Sequence, residues 1–183
     1  LEHIVSLSTS KNLSLPEEWT AYLFIELLNG LHYAHNRSLQ GSFDDFYHRN
    51  ICPRNVLLSP QGGVKLKAFS IVCELDDSTG FRPPEARSEP VAWDSRSDIW
   101  SCGALLFFLM YQTEPTPKAI DHYQSDNRPL ARIWKQALEE DAQLRFQTAT
   151  ALKDAIWNQC ESVHSYTTQQ FGQQILQLLP SPV

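Results

Sequence analysis

The chain has no long apolar run. Its longest, Ala104–Met110, falls far short of the roughly 20 residues that a membrane-spanning helix needs, so no bilayer crossing is expected. It has no surplus of positive charge either: 15 Lys and Arg stand against 21 Asp and Glu, giving a net charge of −6 and a pI near 5.5. Gripping a phosphate backbone needs the opposite balance, which argues against nucleic acid and leaves proteins and small ligands as partners. No Cys-x-x-Cys pair is present. Cys52, Cys73, Cys102 and Cys160 are scattered, without the spacing of a zinc site or a stapled scaffold. Reduced, buried thiols are the reading, and they fit the cytosol or the nucleus. The start, Leu1-Glu2-His3, lacks the basic residues and apolar block of a secretory leader, and without Met it reads as a fragment. Internal repeats are absent too. What is present is the material of a core: 42% of the 183 residues are hydrophobic, with 5 Trp, 6 Tyr and 9 Phe. That is too aromatic for a disordered chain and enough for one domain.

Pro16-Glu17-Glu18 places a proline and two acids where a helix start tolerates or favours them. The apolar residues from Trp19 to His35 then recur at helical spacing and predict a long, largely buried helix. Val56-Leu57-Leu58 and Val64-Lys65-Leu66 flank a Pro/Gly turn and predict two short strands. Glu74–Trp93 has no helical period and is expected to be loop with at most one helical turn. Asp94 or Ser95 caps a helix that is apolar almost all round through Leu109, which belongs in the middle of a domain. Further helices are expected over Pro129–Glu139, Thr148–Asn158 and Thr168–Leu179, the last with Phe171, Ile175, Leu178 and Leu179 on one side.

The segment His48-Arg49-Asn50-Ile51-Cys52-Pro53-Arg54-Asn55-Val56-Leu57-Leu58 resembles the catalytic loop of protein kinases. In that loop His-Arg-Asp is followed five residues later by Asn and then by an apolar strand; here only the Asp has changed, to Asn50. Ala68-Phe69-Ser70 stands where the family has Asp-Phe-Gly. Pro83-Pro84-Glu85 resembles the Ala-Pro-Glu that closes the activation segment, and Asp98-Ile99-Trp100-Ser101-Cys102-Gly103 resembles the start of the central helix. Leu144-Arg145 lies where the family's structural Arg meets the Glu of Ala-Pro-Glu. These features occur in family order across Trp19–Trp157. The resemblance implies a mainly α fold with a small β element, the C-terminal lobe of the kinase fold: a helical bundle around a central buried helix, with short β-hairpins near a degenerate catalytic loop. Residues 1–165 are read as that lobe and 166–183 as a C-terminal helix with a Pro-containing tail.

Kinase chemistry needs a loop Asp to accept the substrate hydroxyl's proton and a second Asp to hold magnesium. Asn50 is almost non-basic, although it can still position a hydroxyl. Ala68 offers no oxygen to a hard cation. Ser70 replaces a glycine. Asn55 remains as a weak, vestigial nucleotide or metal contact, and upstream of Trp19 there is no Gly-x-Gly-x-x-Gly phosphate cover. By contrast Glu85, Asp98 and Arg145 are retained, and in this family they serve the scaffold. The resemblance thus implies a pseudokinase: not an enzyme, without cofactor or metal, and working as a scaffold or allosteric regulator. The partner would be a protein, such as an active kinase or a signalling adaptor. A remodelled transferase using Asn50 and Asn55, or a nucleotide sensor, is the alternative. Phe171, Ile175, Leu178 and Leu179 pack on the lobe or form a homodimer interface. Asp44-Asp45, with Phe43, Phe46 and Tyr47, reads as a solvated loop or a docking insertion, and Ser78 and Thr79 as ordinary loop residues or phosphorylation sites. His32 and His35, at i and i+3, are expected to be ordinary helix residues and not a metal pair.

Overall fold

In the computed structural model, which describes residues 1–37, 46–69, 80–87 and 93–179, seven α-helices and one two-stranded sheet form among the described residues. They are α1 (Glu2–Ser10), α2 (Glu17–His35), β1 (Val56–Leu58), β2 (Val64–Leu66), α3 (Ser95–Tyr111), α4 (Pro117–His122), α5 (Pro129–Ala137), α6 (Ala149–Gln159) and α7 (Thr168–Leu178). Short 3₁₀ turns occur at Pro53–Asn55, Pro84–Ala86 and Glu161–Ser165. The fold is therefore the mainly helical, kinase-lobe-like architecture expected.

The all-round apolar character of α3 puts it at the centre, with Ile99, Cys102, Leu105, Leu106 and Phe107 buried. Its start is set by a reciprocal cap: Asp94 Oδ1 accepts the Arg96 amide at 2.7 Å, and the Asp94 amide donates to Ser97 Oγ. Gly103 lets α5 approach closely, since a Cβ there would lie 2.6 Å from the Ala137 Cβ. On the other side, α2 buries Trp19, Phe24, Leu28 and Leu31 and packs against α6 and β2. The strands pair antiparallel with Val56 opposite Leu66 and Leu58 opposite Val64.

Two helices had no clear signal in the sequence. In α1 only Ile4, Val5 and Ser8 are buried, and its Ser/Thr-rich end has weak intrinsic preference, so packing decides its conformation. In α4 no residue is buried, hence no apolar period; it is held by Thr116 Oγ1, which accepts the Ala119 amide, and by Pro117 in the first turn. The helix α7 packs its central apolar residues on this lobe. Phe171 stacks on Trp19 at 4.9 Å and is wholly buried, and Ile175 is 2% exposed. Both belong to the core of this chain and are withdrawn from the candidate dimer interface, whereas Leu178 and Leu179 are half-buried. No helix among the described residues is long and apolar enough to cross a membrane.

Candidate functional site

The loop preceding β1 is held from below by Asp98, in the first turn of α3. Its carboxylate is wholly buried and accepts the His48 amide at 2.7 Å and the Arg49 amide at 2.8 Å. His35, at the end of α2, brings Nε2 to 2.8 Å from the same carboxylate, so three elements meet at one group. This is the role of His35, which its spacing from His32 did not reveal; His32 instead places Nδ1 2.9 Å from Thr150 Oγ1. No cluster of metal-ligating side chains occurs among the described residues. Arg49 sits at φ 64° with its guanidinium 5.9 Å from the Tyr47 ring.

Asn50 is 1% exposed, and its carbonyl accepts Asn55 Nδ2 at 2.8 Å. Asn55, in the 3₁₀ turn, is thereby fixed with one side-chain oxygen to offer. Its own carbonyl accepts the Lys67 amide at 3.0 Å, which ties the loop to the residue before Ala68. Phe69 packs on His48 at 4.2 Å and stacks on Phe46 at 5.4 Å. Phe46 is thus part of the site's apolar support, and Tyr47 meets His35 edge-on at 5.8 Å. Ser70, Phe43, Asp44, Asp45, Cys73, Ser78 and Thr79 lie outside the described residues. Among the described residues, the oxygens gathered here do not make a magnesium site: Asn55 supplies one neutral amide oxygen and Ala68 a methyl, where a hard cation wants several charged oxygens.

Ala68 lies at φ 64°, in the left-handed region where a Cβ costs about 1–2 kcal/mol. That conformation suits Asp, Asn or Gly better than Ala. Replacing Ala68 by Gly is expected to raise unfolding free energy by about 0.5–1 kcal/mol after glycine's unfolded-state entropy is subtracted, as read by denaturant titration.

Burial pushes His48 below the ordinary imidazole value of 6.5, against the pull of Asp98. Its Nδ1 accepts the Asn50 amide at 3.2 Å, which also requires that nitrogen unprotonated. A depressed histidine costs nothing above its unfolded pKa. As pH falls below about 6.5 the unfolded imidazole takes a proton that the folded one refuses, so stability drops. Denaturant midpoints from pH 8 to about pH 5 are expected to fall less in His48→Gln than in the parent.

A second anchor gathers beside the first turn of α3. Arg145 Nη1 and Nη2 donate to Glu85 Oε1 and Oε2 at 2.8 and 2.9 Å, and Ser97 Oγ donates to Oε1 at 2.8 Å. Burial pushes the Glu85 carboxyl up, but bonds from Arg145, its own amide and Ser97 outweigh this and hold it below its usual range. Trp100 Nε1 donates to the Gly80 carbonyl and Ser101 Oγ to the Phe81 carbonyl, so the start of α3 fastens the adjoining chain on several sides. Beside the site, a cavity of about 380 Å³ opens between α2 and β2, lined by Leu27, Gly30, Tyr33, Phe46, Leu66 and Phe69 among others.

A loop tied to the central helix by its buried Asp, an Asn bonded back to that loop and a forked Glu–Arg pair are together a kinase scaffold. The protein kinase domain model matches residues 1–181, and the chain belongs to that family. It is similar to serine/threonine-protein kinase mig-15 of Caenorhabditis elegans, 35% identical over 53% of this chain and 10% of that protein. It is similar also to serine/threonine-protein kinase dst2 of Dictyostelium discoideum, 28% identical over 81% of this chain and 15% of that protein. A third relative, the probable serine/threonine-protein kinase PknB of Bifidobacterium longum, is 28% identical over 79% of this chain and 24% of its own length. The chain thus spans a quarter or less of these relatives. Their names correct one expectation: reading the chain as not an enzyme is overturned, because a kinase-domain match with relatives named as serine/threonine kinases points to an enzyme. Positions 50 and 68 carry an amide and a methyl where the kinase motifs have carboxylates, which changes the chemistry available there.

Proposed function

We infer that this chain is the large lobe of a serine/threonine kinase-type domain whose phosphoryl transfer is remodelled and slow, and which also holds or regulates a signalling protein. The observation that carries this reading is the loop around Asn50. Asp98 fixes the His48 and Arg49 amides, and Asn55 fixes the Asn50 carbonyl, so the loop keeps a defined shape and carries at position 50 an amide in place of a base. Phosphoryl transfer through a loose transition state is mostly positioning and charge stabilisation. An acceptor hydroxyl oriented by an amide can therefore react as the bond to the nucleoside diphosphate breaks, passing its proton late in the step to an oxygen of the transferred phosphoryl group, at a lower rate. The partner-binding half is supported by the groove between α2 and β2, where Tyr33 is 66% exposed and Arg37 and Lys65 outnumber Glu26 among the lining charges. An apolar partner segment with an acidic neighbour fits that lining.

The test uses the intact protein with a radiolabelled nucleoside triphosphate and serine- or threonine-containing peptides. Slow transfer is expected, reduced by Asn55→Ala. Transfer absent above background, or insensitive to Asn55, removes the catalytic half of the reading.

A further inference from the structure

The hairpin formed by β1 and β2 connects the two halves of the site: Asn55 directly precedes β1, and Lys67-Ala68 directly follows β2. Its turn presses on α7 at two points. Gly62 is at φ +87°, and a Cβ there would lie 2.3 Å from the Thr168 carbonyl oxygen. A Cβ on Gly172 would lie 2.3 Å from the Pro60 carbonyl oxygen and 3.1 Å from the Gly62 amide nitrogen. Residues 168 and 172 are one helical turn apart, so the same face of α7 meets the turn twice, backbone against backbone. The turn is stiff in itself, with Ser59 accepting from Gly62 and Gly63 and donating to the Gly63 carbonyl. α7 is equally fixed behind it. Phe171 packs between Trp19 and Tyr22, Tyr22 Oη lies 2.6 Å from Thr168 Oγ1, and Thr167 and Gln170 cap each other.

We propose that α7 is a brace that positions Asn55 and Ala68 through this hairpin, with Gly62 and Gly172 as its positioning residues. Asp98 holds the loop from one side and α7 holds the hairpin tip from the other. The strands, three residues each, carry a displacement of the tip about 10 Å to the site. Anything that lifts α7, such as a partner docking on its exposed face, would then reach Asn55 and Ala68 without touching them.

The test is Gly172→Ala in the intact protein, read by amide hydrogen exchange. Alanine is the better helix former, so the helix itself gains while the added methyl wedges the turn away. The reporter is the Lys67 amide, which donates to the Asn55 carbonyl. Its exchange is expected to quicken roughly tenfold relative to the Leu105 amide in the centre of α3, the size expected of ordinary overpacking strain. Gly103→Ala, whose methyl would meet Ala137, serves as the control and should speed both amides alike. Lys67 protection that falls no further than that of Leu105 overturns the brace. If Gly172→Ala does not fold, Tyr22→Phe loosens α7 without a wedge; Lys67 should again respond selectively, and an unchanged Lys67 overturns the proposal. The functional meaning of the brace rests on the transfer reading, but the exchange result does not. A parent protein without transfer would remove that reading and leave the brace standing.

Discussion

Replacing Arg145 by alanine is expected to lower the unfolding free energy by about 3–5 kcal/mol, the cost of stranding one partner of a buried ion pair. The expectation comes from a full inventory of the guanidinium. Its five N–H donors are all used: Nε to the Glu139 carbonyl, Nη1 to Glu85 and the Arg96 carbonyl, Nη2 to Glu85 and the Glu140 carbonyl. Its plane lies 5.0 Å from the Trp100 ring, and its side chain is fully buried. Alanine would leave a cavity, a carboxylate without its charge partner and three carbonyls each short of one donor. Arg145→Lys is expected to recover only part of the loss, because an ammonium has three donors and no fork. The pH dependence has a definite sign. Glu85 is held below its ordinary value of 4.5, so its share of stability is present above about 4.5 and is lost as pH falls through its folded value. Denaturant unfolding at pH 7 and pH 3.5 checks both points: the gap between parent and Arg145→Ala should narrow at the lower pH.

Under the slow transfer proposed above, Asn50→Asp should raise the rate roughly 10²–10⁴-fold, the usual worth of a positioned general base. Asn50 is 1% exposed, so a carboxylate in its place loses hydration and its pKa is pushed up. A base raised toward neutrality takes a proton more effectively in the transition state. Adding Ala68→Asp supplies a charged oxygen at a position already in the left-handed conformation that Asp tolerates better than Ala. The double variant should therefore exceed the single one and gain a dependence on divalent metal. Initial rates on a fixed peptide at saturating nucleotide measure this. A double variant no faster than the parent would mean that the rate is set elsewhere, and the account of Asn50 and Ala68 would fail.

The kinase-type lobe was legible because its motifs are short, ordered and chemically specific. Asp98 must sit one turn into a helix to reach two loop amides, and Glu85 must lie near an Arg far along the chain. Sequence order therefore names Glu85, Asp98 and Arg145, and the structure puts them at 2.7–2.9 Å from their partners. Whether the chain belongs among enzymes was not legible. Two lost carboxylates speak to mechanism, while the family match and the names of relatives speak to kinship. His35 was missed because a histidine at the end of a helix gives no local hint of an aspartate 63 positions away.

The sequence by itself determined the long elements: α2, α3, α5, α6 and α7 with ends shifted by at most two residues, and both strands without shift. Apolar period, capping residues and a Pro/Gly turn are local signals, and in those segments they agree with one another. Only the tertiary structure decided α1 and α4, which bury too little to show a period, and the destination of the apolar face of α7. Phe171 and Ile175 satisfy an amphipathic pattern equally well inside one chain or between two. The pocket made by Trp19 and Tyr22 settles them inside, because aromatic stacking and full burial are properties of the assembled fold. The two glycines that join α7 to the hairpin are of the same kind. Their meaning lies in a backbone more than a hundred residues away, which no local pattern encodes.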